Sequence, residues 1–326
     1  MPDPRKPTKE ELDDLQKDYD AAVATWLQER EAGKDSRIAG IDIGYLYDGD
    51  TRTDDIGVRT HTVPPDEATS DATVRSGGGA LQGASLRAAY SRGTPSLAQN
   101  VLPTNPVHPG VSVSSQRSRG GTLGLIVFDK TSGEPHVLSC HHVLRLETSD
   151  RSEDWALQPA MYLGGTSLDP THLLGHVRRH IDNIQGDAAI ATIQREWDRH
   201  QFRSGVLIES TDMPSIGDEV EKDGMGTGRR CGIVDGFGRY DMGGPEGPME
   251  GFRIVRSGDG PCSQDLSQHA DSGSVWYRQS DRKGLGLHVG GDMSVADENI
   301  RPAIACYLIR VLDALQVTIL PKPSTA

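Results

Sequence analysis

"TLGLIVFDKTSGEPHVLSCHHVL", residues 122–144, decides how the chain is read. Two short apolar runs flank a Thr-Ser-Gly-Glu-Pro break, and the second run ends on Cys140, His141 and His142. Runs of this length between turn residues are strands, because they are too short to complete a stable helix. The same grammar continues outward through LLGHVRRHI, DAAIATI, DEVEKDGMGTGRRCGIVDG, FRIVRS, SGSVWY, GLGLHVGG and IACYLIRVL. Short strands at this spacing fit a sandwich or a barrel. Only IACYLIRVLDALQV reads as substantially helical. The predicted class is mostly β.

Composition agrees with that class. Aromatic residues make up 5% of the 326 residues, while Gly 38 and Pro 19 imply many turns. The formal net charge of −13 argues against nucleic acid or an anionic membrane as the main partner. No apolar run approaches the ~20 residues that span a bilayer. The start, MPDPRKPTKEELDD, is charged and does not read as a secretory signal. Cys140, Cys231, Cys262 and Cys306 form no C-x-x-C pair, and reduced thiols in the cytoplasm are the expected state.

The N-terminal third is organised differently. Residues 1–36 hold an amphipathic helix: Thr8 and Glu11 have capping-box spacing, and Leu12, Leu15, Tyr19, Ala22, Val23 and Trp26 form one apolar stripe. That stripe suits docking on a neighbouring domain, or oligomerisation or a regulatory protein partner. Residues 37–63 read as a small β-hairpin, with Ile41, Ile43, Tyr45 and Tyr47 alternating toward a turn at Asp48-Gly49-Asp50. Residues 64–106 are rich in Gly, Ser and Pro and read as a linker or extended segment.

The chemistry lies in chain order. His142 follows a strand, Asp187 opens an apolar strand, and Ser272 sits in Ala-Asp-Ser-Gly. His, then Asp, then Ser is one of the few orders in which nucleophilic triads occur. A serine hydroxyl is a poor nucleophile until an imidazole takes its proton. The imidazole in turn needs a carboxylate to fix its tautomer and stabilise its charged form.

With GGTLGLIVFDKTSGEPHVLSCHHVL, the block running from LQPAMYLGG to DAAIATI, VEKDGMGTGRRCGIVDG, ADSGSVW and GLGLHVGG in order, the chain resembles trypsin-like (chymotrypsin-fold) serine proteases of the intracellular bacterial type, related to the plant narrow-leaf protease. The resemblance implies two packed antiparallel β-barrels with the active site between them, across residues 107–320. The first barrel covers about 107–200 and the second about 201–320. It implies a serine endopeptidase with His142 as general base, Asp187 orienting it and Ser272 attacking the substrate. His141 becomes a neighbour. The N–H groups of Ala270 and Ser272 would form the oxyanion hole, although the family normally has Gly where Ala270 stands. Asp271 lacks the new N-terminus that pairs with it in secreted trypsins, so it needs another donor. No cofactor and no metal are implied, and the substrate is a protein or peptide.

For the specificity pocket the resemblance points to Leu266, Ser267 and His288. GLHVGG is similar to a stretch of the glutamyl endopeptidases, which predicts cleavage after Glu or Asp. A plain apolar pocket around Leu266 is the alternative, and Asp265 counts against the acidic one. His172, His176 and His180 have spacing suited to a metal on a helix, but Gly175 and the strand grammar oppose it. Gly224-Met225-Gly226-Thr227-Gly228 lacks the Lys-Ser/Thr ending of a nucleotide loop and reads as a tight turn. The rival functions are a catalytically silent protease fold used as a binding or scaffold module, and a protease part of a partner-triggered switch.

Overall fold

A computed structural model describes residues 5–33, 37–48, 51–62, 103–116, 118, 120–144, 154–243, 247–257, 262, 265–291 and 302–321. The segment expected to be a linker therefore lies almost wholly outside the described residues.

The chain opens with helix α1 (Lys9–Glu31). Its start is fixed by a capping box in which Glu11 N–H donates to Thr8 Oγ1 at 3.2 Å and Thr8 N–H to Glu11 Oε2 at 2.8 Å. The apolar stripe lies on the hairpin of β1 (Ile38–Asp48) and β2 (Thr51–Thr62). Val23 and Trp26 are buried there with Ile41, and Tyr19 packs between Val58 and Ile43. The chain thus covers this stripe with its own hairpin.

One sheet gathers β3 (Ser112–Ser115), β4 (Gly121–Thr122), β5 (Leu125–Asp129), β6 (Pro135–Ser139), β7 (Trp155–Leu157), β8 (Leu173–Asn183) and β9 (Gly186–Thr192). The short helix α2 (His141–Leu144) follows β6 directly. The other sheet holds β10 (Glu219–Gly224), β11 (Gly228–Tyr240), β12 (Met249–Val255), β13 (Val275–Arg278), β14 (Gly284–Gly291) and β15 (Ala303–Tyr307). Helix α3 (Leu308–Ala314) then carries the chain back, and β16 (Val317–Thr318) pairs with β5.

All strand pairs in both sheets are antiparallel. In the second sheet β10 bonds to both β13 and β11, which closes a barrel of six strands through β14, β15 and β12. The first sheet runs β16-β5-β6-β9-β8-β7-β3-β4 and curls as a half-barrel. The two are packed through one continuous core, in which Leu123, Leu138 and Ala189 meet Val275, Leu287 and Val289. This is the trypsin-like architecture expected from the sequence, with the first body left open rather than closed.

The hairpin is not a separate module. β1 pairs with the far end of β11, from Gly40↔Tyr240 to Gly44↔Gly236, so β1 and β2 extend the second sheet. A buried ion cluster fastens this junction. Arg59 of β2 donates from Nε and Nη2 to both oxygens of Asp42 at 2.7 Å, and from Nη1 to Asp235 at 2.7 Å. Arg253 also reaches Asp235 at 2.6 Å, and Tyr240 donates to Asp42 at 2.8 Å. Burial alone would raise the Asp42 carboxyl, but Arg59 and His61 hold it well below the usual range. Arg59→Met leaves Asp42 facing the core with its main counter-charge gone. We expect it to cost about 3–5 kcal/mol in a denaturant titration. A loss below about 1 kcal/mol would show that packing alone holds the hairpin.

The cysteines depart from expectation. Cys231 on β11 and Cys262 form a disulfide with Cα atoms 4.7 Å apart, while Cys140 and Cys306 are buried without one. The pair is 31 residues apart in sequence, and only the fold brings it together. The bridge corrects the reading of all cysteines as reduced thiols and removes the support that reading gave to a cytoplasmic location. Among the described residues, no helix is long and apolar enough to cross a membrane.

Candidate active site

The site is built from three elements that meet where the two sheets pack. The first is α2, which turns the chain sharply after β6. His142 N–H donates to Asp187 Oδ1 at 3.1 Å, and His142 Nδ1 is hydrogen-bonded to Asp187 Oδ2. Asp187 stands at the second position of β9 and is largely buried. An imidazole held this way presents its other nitrogen, Nε2, away from the carboxylate. His141 turns elsewhere: its Nδ1 lies 3.6 Å from Asp182 and its ring stacks on His180 at 4.4 Å. Of the two adjacent histidines, His142 is the one that meets Asp187.

The second loop carries Ser272 and is clamped by the first sheet. Thr122 N–H donates to Ser272 O at 2.8 Å, and Thr122 Oγ1 donates to Ala270 O at 2.7 Å. Gly273 N–H donates to His288 O at 2.8 Å. Gly273 has φ +93°, and a Cβ there would lie 2.2 Å from Ser139 Oγ and 2.3 Å from Thr122 O. Only glycine fits this turn. Gly121 lies between the two loops, since a Cβ on it would be 2.5 Å from both Ser272 O and a Val143 methyl. The Ser272 hydroxyl donates to Val289 O at 2.9 Å.

Ala270 adopts φ +79°, a left-handed conformation that costs an L-residue about 1–2 kcal/mol. Among the described residues, no protein acceptor takes the N–H of Ala270 or of Ser272.

The donor that Asp271 needs is Lys222. Its Nζ lies 3.0 Å from Asp271 Oδ2, and neither side chain is exposed. Thr227 ties the pair together, accepting from Lys222 at 2.9 Å and donating from Oγ1 and N–H to the two Asp271 oxygens at 2.8 and 2.9 Å. Burial pushes the Asp271 carboxyl up, but Lys222 and His288 pull it down further, so the net shift is downward. Burial also lowers Lys222, against the pull of Asp271. Sequence reading missed Lys222, Thr227 and Trp276. The available signal was Lys222 at an inward position, two residues after Val220 on a strand whose alternate residues face the barrel core.

The third element is β14, which runs beside the serine loop. His288 on β14 is fully buried, and its Nε2 lies 2.9 Å from Ser267 Oγ. Ser267 is half-buried. Leu266 lies inside the second barrel with Val220 and Trp276. Burial, with Lys222 and His142 adding to it and Asp271 opposing, lowers His288 to about 3. A group whose folded value lies below its unfolded value binds fewer protons when folded. Its stabilising contribution is therefore complete above pH 6.5 and is lost as pH falls toward 3. We expect stability to drop by about 1 kcal/mol per pH unit across that window, over and above other groups, and His288→Gln to flatten the slope there. Equal slopes for the two proteins would contradict this assignment.

The three histidines of the possible metal stripe go to separate neighbours. His172 lies 3.6 Å from Asp169, His176 packs on Trp155 at 3.9 Å, and His180 stacks on His141. The GMGTG stretch is the turn between β10 and β11, and it cradles the Ser272 loop: a Cβ on Gly224 would lie 2.2 Å from Asp271 Oδ1, and one on Gly226 would lie 2.4 Å from His269 O.

No family model matches the chain, and no curated protein matches it. Solved structures do. One is a glutamic-acid-specific serine protease that uses a histidine triad in substrate binding, at 18% identity and TM-score 0.48, covering 66% of this chain and 100% of that one. A Nocardiopsis protease matches at 15% identity and TM-score 0.46, covering 66% of this chain and 98% of that one. A chymotrypsin of Cellulomonas bogoriensis matches at 18% identity and TM-score 0.45, covering 67% of this chain and 100% of that one. The chain is thus similar in structure to chymotrypsin-like serine proteases.

Proposed function

We propose that the protein is a serine endopeptidase that works through His142, Asp187 and Ser272. The observation that carries this reading is the pairing of His142 Nδ1 with Asp187, on a loop that shares Gly121 with the serine loop. Asp187 accepts from Nδ1–H, which leaves Nε2 as the free base. When a peptide enters, the Ser272 hydroxyl leaves Val289 O and turns to Nε2. Its oxygen attacks the scissile carbonyl while its proton passes to His142. The carbonyl oxygen becomes an oxyanion, accepting from the N–H groups of Ala270 and Ser272. His142 then gives its proton to the leaving amine, and an acyl-enzyme remains. Water, deprotonated by His142, attacks the ester carbonyl, and the proton returns to Ser272.

Lys222 acts in this scheme as a positioning residue. By holding Asp271 it holds the backbone between the two oxyanion donors, with no need of a freshly cut N-terminus. The substrate is a protein or peptide, and a regulatory partner or a second copy of the chain would act through the N-terminal helix.

One observation favours the second reading, a catalytically silent binding or scaffold module: the Ser272 hydroxyl is engaged by Val289 O rather than by His142. Incubating a proteome-derived peptide library with wild type and with Ser272→Ala separates the two. The protease reading expects new peptide termini with wild type alone. Identical digests would leave the binding module.

A further inference from the structure

Three side chains beside the serine loop form a relay with a fixed direction. The indole of Trp276 is a donor only, and its Nε1 lies 3.3 Å from His288 Nδ1. Nδ1 must therefore be the acceptor, so the ring carries its one proton on Nε2. That proton goes to Ser267 Oγ, 2.9 Å away. Ser267 now accepts from behind and has its own hydroxyl proton to donate. His288 itself is fully buried, while Ser267 is half-buried and reachable.

The charges facing the relay cancel. Lys222, Asp271 and His142 all lie close enough to act on His288. Lys222 is bound to Asp271 at 3.0 Å. Arg230 faces Asp271 and Asp265, and its Nε donates to the Asp265 carbonyl at 3.0 Å. One buried cation is thus set against one buried carboxylate beside His288. A histidine whose Nδ1 is taken by an indole N–H cannot become the imidazolium that would offset an incoming carboxylate without first losing that bond. An incoming carboxylate would meet a neutral donor here rather than a charge.

We infer that the Ser267 hydroxyl, at the end of this relay and beside the serine loop, selects an uncharged hydrogen-bond acceptor, the side-chain amide of glutamine, over glutamate in the residue before the scissile bond. The inference rests on the protease reading for its cleavage form. The amide oxygen accepts from the Ser267 hydroxyl, and the Trp276–His288–Ser267 relay keeps that hydroxyl a donor. Apolar side chains rank below glutamine because they leave the hydroxyl unpaired. Trp276 and His288 are positioning residues that act through Ser267.

A matched peptide series with Gln, Glu or Leu before the bond tests this by kcat/KM. Wild type should favour Gln over Glu by at least about tenfold at pH 7, with little change in the ratio from pH 6 to 8. Ser267→Ala should erase about fivefold to tenfold of the preference for Gln over Leu. Trp276→Phe frees Nδ1 and lets the ring carry its proton there instead, so the preference for Gln over Leu should fall toward that of Ser267→Ala while kcat/KM for the Leu peptide stays near the wild-type value, a split that a merely structural role would not produce. Calorimetry with Ser272→Ala and peptides ending in the same three residues reads the pocket without catalysis. Tighter binding of the Gln peptide, with no cleavage by wild type, would sink the protease reading and keep the pocket. Glu equal to or above Gln at pH 7 would overturn the inference. So would a Leu preference that survives Ser267→Ala, or an absence of binding by all three peptides.

Discussion

Ser272→Ala and His142→Ala should each lower kcat for peptide hydrolysis by up to about 10⁶-fold, and the double variant should lose no more than either. The non-additivity is the informative part. If the hydroxyl attacks only while the imidazole takes its proton, removing either partner stops the same step. Both side chains are partly exposed, and neither fills a core position, so folding should be unaffected. Circular dichroism and melting temperature serve as controls. Multiplying losses would mean that the two act in separate steps. A Ser272→Ala protein that cleaves at the wild-type rate would end the account.

Asp187→Asn should lower kcat by about 10⁴-fold while leaving the fold intact. Asp187 accepts both the backbone N–H and the ring Nδ1–H of His142. An asparagine of the same shape can turn its NH₂ toward the ring. Nδ1 then becomes the acceptor and the proton moves to Nε2, the atom that must receive the Ser272 proton. The wrong tautomer blocks the base without disturbing the loop. The effect should sit in kcat rather than KM, because nothing that binds the peptide has changed. A loss below about tenfold would place Asp187 in a structural role only.

Much of this architecture could be read from the chain. Period-two alternation and Gly, Asp and Pro breaks give the strands, and Thr8 with Glu11 gives the start of α1, because both signals are local. What could not be read are the partners. The alternation in IAGIDIGY shows that one face of β1 is apolar but not that β1 lies against β11. Cys231 and Cys262 meet only after β11 and the loop ahead of Ser272 are placed. Asp187 and His142 could be paired by order and motif. The Lys222–Asp271 pair could not, since a lysine between Glu221 and Asp223 looks like part of a solvated charge run. In the fold, all three lie in the buried part of β10. The tautomer of His288 was equally hidden. It depends on which nitrogen faces Trp276, and spacing says nothing about that.

The central claim is that Ser272 is an activated nucleophile, and fluorophosphonate labelling tests it most directly. The probe reacts with a serine only when a base takes its proton and the displaced oxygen finds donors. Intact-mass measurement and peptide mapping after incubation should find one phosphonyl group, on Ser272, in wild type. His142→Ala should show none over the same time, and an unlabelled wild type, or a label on another serine, would contradict the account.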